Sequence, residues 1–541
     1  MAYDTNSLDL ILKELGGFGW YQRRICFLIV FCVILSYIPL YIYVFECKQV
    51  NHRCQIQGCD TEDTKFVPEW LINAVPFNND GPLQCSKYHR INSTSNHCSF
   101  EDFNQEILER CDTYIYETPD ISILHDFNLQ CDENVWKLTL VGTLNTVGLM
   151  VGQPISGLLS DRFGRKIVLI SSMILSGIIG LIRSFSYSYP FFLTMEIIDA
   201  TIRSATFNLC LILCLELVSC DKRSLLALLM NLAFSTGGII EGGLAWILQS
   251  WRTLLRILYV LPFLTIFYYW LIPESLGWLL AAGRLSEAKA ILKELAENNG
   301  KTISDDYINK LKLKDTGEKD TRVLSIREFI SSVALMLRLV IISICWMCNI
   351  FVYRGLTIDA VSLSSNSYLD FILSMFVEMP AGITTFLVMD RIGRKITLST
   401  GFILSAIFCI SSVFIPAKMS WLRLTVYLLG KFATSIGDAI LCTYTSEMFP
   451  TQFRSLSVSI CIMFGRLSGL IAPQLPLLES IWKPLPMTLF GSSSLLAALL
   501  SLLLPETNGT KLPSTIKEAE TIGKQKTDTS SNIKNYNFNC W

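Results

Sequence analysis

Apolar residues fall into twelve long runs separated by short polar segments: 25–45, 135–159, 167–182, 189–217, 225–248, 253–272, 333–353, 368–389, 396–415, 421–444, 456–478 and 487–504. A helix of about 20 apolar residues crosses the roughly 30 Å hydrocarbon layer of a bilayer, and in hydrocarbon a lone segment can satisfy its backbone only as a helix. The pattern therefore predicts an all-α membrane protein with twelve spans, six on each side of a polar stretch at 273–332. Two polar segments stand out by length, that stretch and a far longer one at 46–134.

The two sets of six echo one another. DRFGRK occupies 161–166 and DRIGRK 390–395, 229 positions apart, each wedged between two apolar runs. Glu216 and Arg223 are repeated by Glu447 and Arg454, 231 positions on, and Pro273-Glu274-Ser275 by Pro505-Glu506-Thr507, 232 positions on. Three co-linear echoes at nearly constant offset indicate duplication of one six-span unit. The expected organisation is a polar segment 1–24, a first half 25–272 containing the insertion 46–134, a linker 273–332 with short helices, a second half 333–504 and a tail 505–541.

Basic residues fix the expected orientation. Arg23-Arg24, the basic residues of both DRxGRK turns, Lys222-Arg223 and Arg454 fall on alternate loops, and Lys and Arg are retained on the cytoplasmic side. Both termini are then cytoplasmic, in a multi-pass protein of the plasma membrane. The segment before the first run lacks the features of a cleavable signal, so the first span itself is expected to direct insertion. The insertion 46–134 is then extracellular. It holds Cys47, Cys54, Cys59, Cys85, Cys98, Cys111 and Cys131 and the sequon Asn92-Ser93-Thr94, which suits an oxidising, glycosylating compartment. Three disulfides and one spare thiol are expected, with 15 connectivities open to any six paired cysteines, and Asn92 is expected to carry glycan. All four histidines lie in the same insertion, but their spacing matches no zinc pattern, so no metal is expected.

Composition narrows the function. Apolar residues make up 51% of the chain, charged residues 17%, and mean hydropathy is +0.43, whereas the net charge of −1 gives no reason to expect a nucleic-acid partner. No GxxxxGK[ST] phosphate loop, no histidine within a span and no nucleophile–base constellation occurs, so neither ATP-driven pumping nor enzymatic chemistry is expected, and no cofactor. Charges inside spans cost about 2.5–3.5 kcal/mol each on insertion scales and mark functional sites by default. Among them are Glu196, Asp199 and Arg203 in the fourth run, Glu241 in the fifth, Glu378 in the eighth, Lys431 and Asp438 in the tenth and Arg466 in the eleventh. An arginine cannot shed its charge, so Arg466 must meet an acid, water or an anionic substrate. Tyr37, Trp346 and Tyr353 are aromatic candidates for stacking on that substrate.

GLLSDRFGRK with its echo resembles the major facilitator superfamily. LGGFGWYQRR before the first run, the Cys-rich insertion, YTSEMFPTQFRS and IWKPLPMTLFG leading into LLPET resemble solute carrier family 22, the organic ion transporters, from end to end. The C-terminal stretch is most similar to invertebrate members that carry organic cation transporter names. The resemblance implies a secondary transporter of small organic ions, working as a monomeric unit in a lipid bilayer. It also implies that Asp161, Arg162, Arg165, Glu216, Arg223, Asp390, Arg391, Arg394, Glu447 and Arg454 gate the cytoplasmic side, and that arginine at 466 and lysine at 431 follow the anion and carnitine branches. Organic anions or carnitine-like zwitterions are thus favoured over simple cations as substrate, with Arg466, Lys431, Glu378, Tyr353, Trp346 and Tyr37 as the binding set. Three departures from the family pattern stand out: Leu276-Gly277 where an arginine is usual, serines after Arg454 in place of glycines, and Gly382 where the anion branch often has lysine. A receptor or scaffold that kept the fold and lost turnover is the rival of another class; intact DRxGRK copies and Glu/Arg pairs argue against it.

Overall fold

The computed structural model describes residues 11–60, 65–78, 81–91, 98–219, 222–301, 327–363, 366–416, 419–479, 481–510, 512–513 and 515–522. Among them, eleven helical segments are long and apolar enough to cross a membrane. The first half consists of α1 (Trp20–Tyr37), α2 (Val135–Phe163), α3 (Arg165–Ser184), α4 (Tyr189–Arg203, carried on by Thr206–Leu217), α5 (Arg223–Leu248) and α6 (Trp251–Val260). The second consists of α7 (Val333–Asp359), α8 (Ser367–Ile392), α9 (Arg394–Val413), α10 (Ser420–Met448), α11 (Arg454–Ser468) and α12 (Leu485–Ser501). At 17 residues α12 is the shortest of the second-half spans after α11, and it lies at the lower limit for crossing. Twelve spans in two sixes match the hydropathy pattern.

Several helices run beyond the apolar runs that signal them. α1 starts at Trp20 instead of 25 and, after a break at Ile38–Tyr41, resumes as Ile42–Glu46. α3 continues to Ser184 and α7 to Asp359. α6 gives way to a 3-10 turn, Leu261–Phe267, where Pro262 removes a backbone donor. Leu, Ile and Phe side chains such as Phe27, Ile247 and Leu499 remain exposed on the outer helix faces, as lipid-facing residues must.

The duplicated turns are built alike. Gly164 (φ 100°) and Gly393 (φ 107°) adopt the positive φ that glycine tolerates, linking α2 to α3 and α8 to α9. A Cβ at either would lie 2.6 Å from a carboxylate oxygen, of Glu274 and Glu506 respectively. Those two acids accept from the first backbone N–H groups of α3 (Arg165 and Lys166, both 3.0 Å) and α9 (Arg394 2.9 Å, Lys395 3.1 Å). Each caps a helix whose N-terminus favours negative charge, which explains why the PES and PET triplets keep step with DRxGRK.

The long insertion folds on three disulfides, Cys54–Cys111, Cys59–Cys98 and Cys85–Cys131, with Cα–Cα separations of 5.1, 6.0 and 5.7 Å. Cys47 is the spare thiol. Three antiparallel pairs accompany them: His52–Cys54 with Tyr114–Tyr116, Phe77–Asn78 with Gly81–Pro82, and Ser86–Arg90 with Phe103–Arg110. A small core of Cys54, Ile56, Leu71, Ala74, Val75, Phe103 and Cys111 and a buried Arg53–Asp60 ion pair (2.7 Å) complete it. Asn92 lies outside the described residues.

This insertion ties the halves together. Asp120 accepts from Lys48 Nζ (2.6 Å) and from the Tyr368 hydroxyl of α8 (2.8 Å), while the ammonium sits 4.2 Å from the Tyr368 ring centre. Burial works against the charged carboxylate, but the hydrogen bonds from Lys48 and Tyr368 and the Lys48 charge outweigh it and hold Asp120 below the ordinary aspartate range. Because the bound form is the anion, the latch is at full strength above the ordinary aspartate value of about 4 and is lost as pH falls through the depressed one. Limited proteolysis under non-reducing conditions should leave the wild-type insertion intact at neutral and mildly acid pH, and Asp120→Asn should be cleaved faster at neutral pH. Equal cleavage of the two proteins would remove the latch.

Candidate functional site

The two halves are hydrogen-bonded from mid-height to the side bearing the insertion. Thr139 donates to Gln474 (3.0 Å), Gln474 to Thr143 (2.7 Å), and Thr143 to the Leu470 carbonyl (3.4 Å), joining α2 to the chain after α11. Nearer the middle, Arg354 of α7 donates to Thr146 (3.2 Å), Arg466 of α11 to the Leu149 carbonyl (2.9 Å), and Ser235 of α5 to Glu378 of α8 (3.5 Å). On the opposite face, the described ion pairs of the duplicated turns close within their own halves. Arg165 pairs with Glu216, which also accepts from Ser275; Arg394 pairs with Glu447 (3.1 Å) and Asp390 (2.9 Å), and Glu447 accepts from Thr507 (2.7 Å).

The remaining gating candidates occupy the same face. Asp161 gives its backbone carbonyl to the Trp278 indole (2.8 Å), Arg162 lies over Phe163, and Arg391 ends α8. Arg223 opens α5, and Arg454 opens α11 where it faces Glu447. Among the described residues, the direct ion pairs of Glu216 and Glu447 with the duplicated arginines are those to the turn, Arg165 and Arg394.

Of the six binding candidates, three meet. Lys431, fully buried, pairs with Glu378 (2.9 Å), donates to Thr357 (2.6 Å) and the Tyr353 carbonyl (3.1 Å), and lies 3.5 Å from the Tyr353 ring centre. Asp438, on the same helix as Lys431, accepts from Asn349 (3.1 Å). Arg466 lies apart from this group, half-buried, near Tyr37 and the Arg354 guanidinium. Tyr37 packs edge-on against Phe234 and Phe207. Trp346 turns into the second half, buried, its indole donating to Thr445 (3.0 Å).

Arg354 is the polar group missing from that set. It lies one residue past the apolar run that marks the seventh span, yet α7 carries it into the seam, its guanidinium 3.5 Å from where a Cβ on Gly469 would stand. Neither Arg354 nor Arg466 has a carboxylate within ion-pair distance among the described residues. Two half-buried guanidiniums at one place, each anchored across the seam by a single neutral acceptor, keep donors free for an anionic group, since each carries five N–H donors.

A second polar centre lies inside the first half. Arg183, wholly buried, pairs with Glu46 (3.0 Å) and Glu196, and donates to the Tyr259 hydroxyl (3.3 Å). Asp199 accepts from Tyr259 and Ser176 and pairs loosely with Arg203 (3.8 Å), which donates to the Pro39 carbonyl (2.7 Å). Arg183 and Glu46 each fall one residue outside an apolar run, so hydropathy places them at span ends.

A family model described as "Sugar (and other) transporter" matches residues 95–515. Human "Solute carrier family 22 member 2" is 31% identical over 538 residues, covering 96% of both chains. The bovine "Solute carrier family 22 member 1" is 30% identical, covering 96% of this chain and 94% of its own. A Drosophila melanogaster "Organic cation transporter protein" is 29% identical, covering 97% and 96%. Among solved structures, a partially occluded inward-open conformation of the xylose transporter XylE from E. coli matches with TM-score 0.60 and 15% identity over 90% of this chain and 99% of its own. At that identity the likeness concerns the fold, which is that of the major facilitator superfamily. With two sixes of helices, duplicated DRxGRK turns and near full-length similarity at about 30% identity, the chain belongs to solute carrier family 22, a family of multi-pass membrane transporters.

Proposed function

We propose that this transporter carries small organic anions or carnitine-like zwitterions across the plasma membrane by alternating access, its halves rocking about the seam between α2, α5, α7, α8 and α11. The observation that supports this charge preference is the Arg354/Arg466 pair, two permanent cations near mid-height with no carboxylate partner among the described residues. Lys431 by contrast is already neutralised by Glu378 and acts as a brace between α8 and α10. The disulfide-tied insertion faces the cell exterior and both termini the cytoplasm, an orientation supported by the alternation of basic loops and by three disulfides that need an oxidising compartment. The conformation has its outer side tied shut. The transport unit is one chain, and Asp161, Arg162, Arg165, Arg391, Arg394, Glu216 and Glu447 regulate the inner side by exchanging the pairs within each half for pairs across the seam.

A second reading is an organic cation transporter, favoured by Glu378 and Asp438 beside the tyrosines and by the name of the Drosophila relative. Uptake into cells displaying the full chain, compared for labelled carnitine, p-aminohippurate and tetraethylammonium, separates the two. Carnitine or p-aminohippurate should accumulate above vector controls, and accumulation of tetraethylammonium alone would establish the second reading.

A further inference from the structure

Four carboxyls, Glu46, Glu196, Asp199 and Glu241, share the interior of the first half with two guanidiniums, Arg183 and Arg203, and none of the six is more than 5% exposed. Arg183 serves Glu46 and Glu196, and Arg203 serves Asp199. Glu241 is left over: it is fully buried, and neither oxygen has a hydrogen-bond or ion-pair partner among the described residues. The groups that face it are the Tyr41 main chain, not in hydrogen-bonding geometry, with Tyr43 and Glu46 from the chain following α1, and Arg203 of α4. From α8, what meets the neighbouring Gly242 is apolar, Phe371 and Ile372.

An ionised carboxylate so placed would forfeit its hydration without compensation, a cost that a group of this kind avoids by taking up a proton. The cover over it comes from the other half. Tyr41 and Phe45 pack on Phe371 of α8 (ring centres 6.3 and 4.9 Å), and Phe45 stacks on Tyr368 (5.7 Å). When the halves part on the insertion side, α8 leaves this aromatic cover and water reaches the carboxyl.

We propose that Glu241 is a proton-binding site of the transport cycle, taking a proton from the insertion-side solution as the halves close there and returning it when they part. The proposal rests on the alternating-access reading. One proton adds to one carboxylate oxygen on closing and leaves to water on opening, so closing is favoured by acid. An external substrate binds only the open form, and its apparent dissociation constant scales inversely with the open fraction. Acidifying the exterior therefore raises the half-saturating concentration for uptake.

Two measurements test this on the full chain. Infrared spectra of the purified protein in lipid nanodiscs should show a protonated-carboxyl stretching band at neutral pH that is lost in Glu241→Gln. In cells, the half-saturating concentration for carnitine or p-aminohippurate should rise several-fold between about pH 8 and about pH 5.5 outside, stay flat in Glu241→Gln and regain its slope in Glu241→Asp. An unchanged band in Glu241→Gln, a flat wild-type profile or the same slope in Glu241→Gln overturns the proposal. If no probe is taken up, it is the transport reading that fails, and the infrared band alone decides whether Glu241 holds the proton.

Discussion

Replacing Arg466 by aspartate is expected to abolish uptake of anionic and zwitterionic probes while the protein still reaches the cell surface. Two unit charges about 4 Å apart interact by about 4 kcal/mol at an effective dielectric of 20, so exchanging attraction for repulsion there is worth at least a hundredfold in affinity. The neighbouring Arg354 sharpens the expectation. Arg466→Asp would place a carboxylate beside that guanidinium, the two would neutralise each other, and the seam would lose both of its unpaired cations at once. Arg466→Lys keeps a charge but not the planar fork that engages a carboxylate at two points; it should raise the half-saturating concentration more than it lowers the maximal rate. Arg354→Gln should behave like a milder Arg466→Asp. Uptake measured beside surface biotinylation reads all three, and equal carnitine uptake in wild type and Arg466→Asp would reduce Arg466 to a strut for the Leu149 carbonyl.

The largest loss of stability is expected for Arg183→Leu. Removing one partner from a buried ion pair costs about 3–5 kcal/mol because the other charge is left uncompensated, and Arg183 serves two acids, Glu46 and Glu196, all three fully buried. Little folded protein should survive extraction, and its thermal unfolding in detergent should lie well below wild type. Adding Glu46→Gln and Glu196→Gln to Arg183→Leu should restore most of the loss, since neutral groups of similar shape are far less costly to bury. Wild-type-like unfolding of the single variant would mean that the acids are not held by the arginine's charge.

These residues also show where hydropathy stops being informative. Glu46, Arg183 and Arg354 each stand one position beyond an apolar run ending at 45, 182 and 353. A charge ends a run by composition, yet the helix continues through it whenever the charge is satisfied inside the protein: Glu46 and Arg183 by each other, Arg354 by Thr146 across the seam. Lys431, Glu378 and Arg466 lie within runs and could be picked out as costly intramembrane charges. That Lys431 belongs to Glu378, while Arg466 stands with Arg354, follows from the approach of α10 to α8 and of α11 to α7.

What the sequence by itself determined is whatever depends on local chemistry and on duplication. Twelve spans follow from the length of the apolar runs, two halves from the repeated DRxGRK, Glu/Arg and PE[ST] motifs, and a disulfide-tied insertion from seven clustered cysteines. Tertiary structure alone decided the pairings. One of 15 disulfide connectivities was realised because the folded insertion, rather than spacing along the chain, sets Cys54 by Cys111, Cys59 by Cys98 and Cys85 by Cys131. Glu216 and Glu447 met the turn arginines, and Glu274 and Glu506 became helix caps, because positive-φ glycines aim α3 and α9 at them. The partner of a charge depends on which helices lie side by side, and pattern along one chain carries that information only where the chain repeats itself.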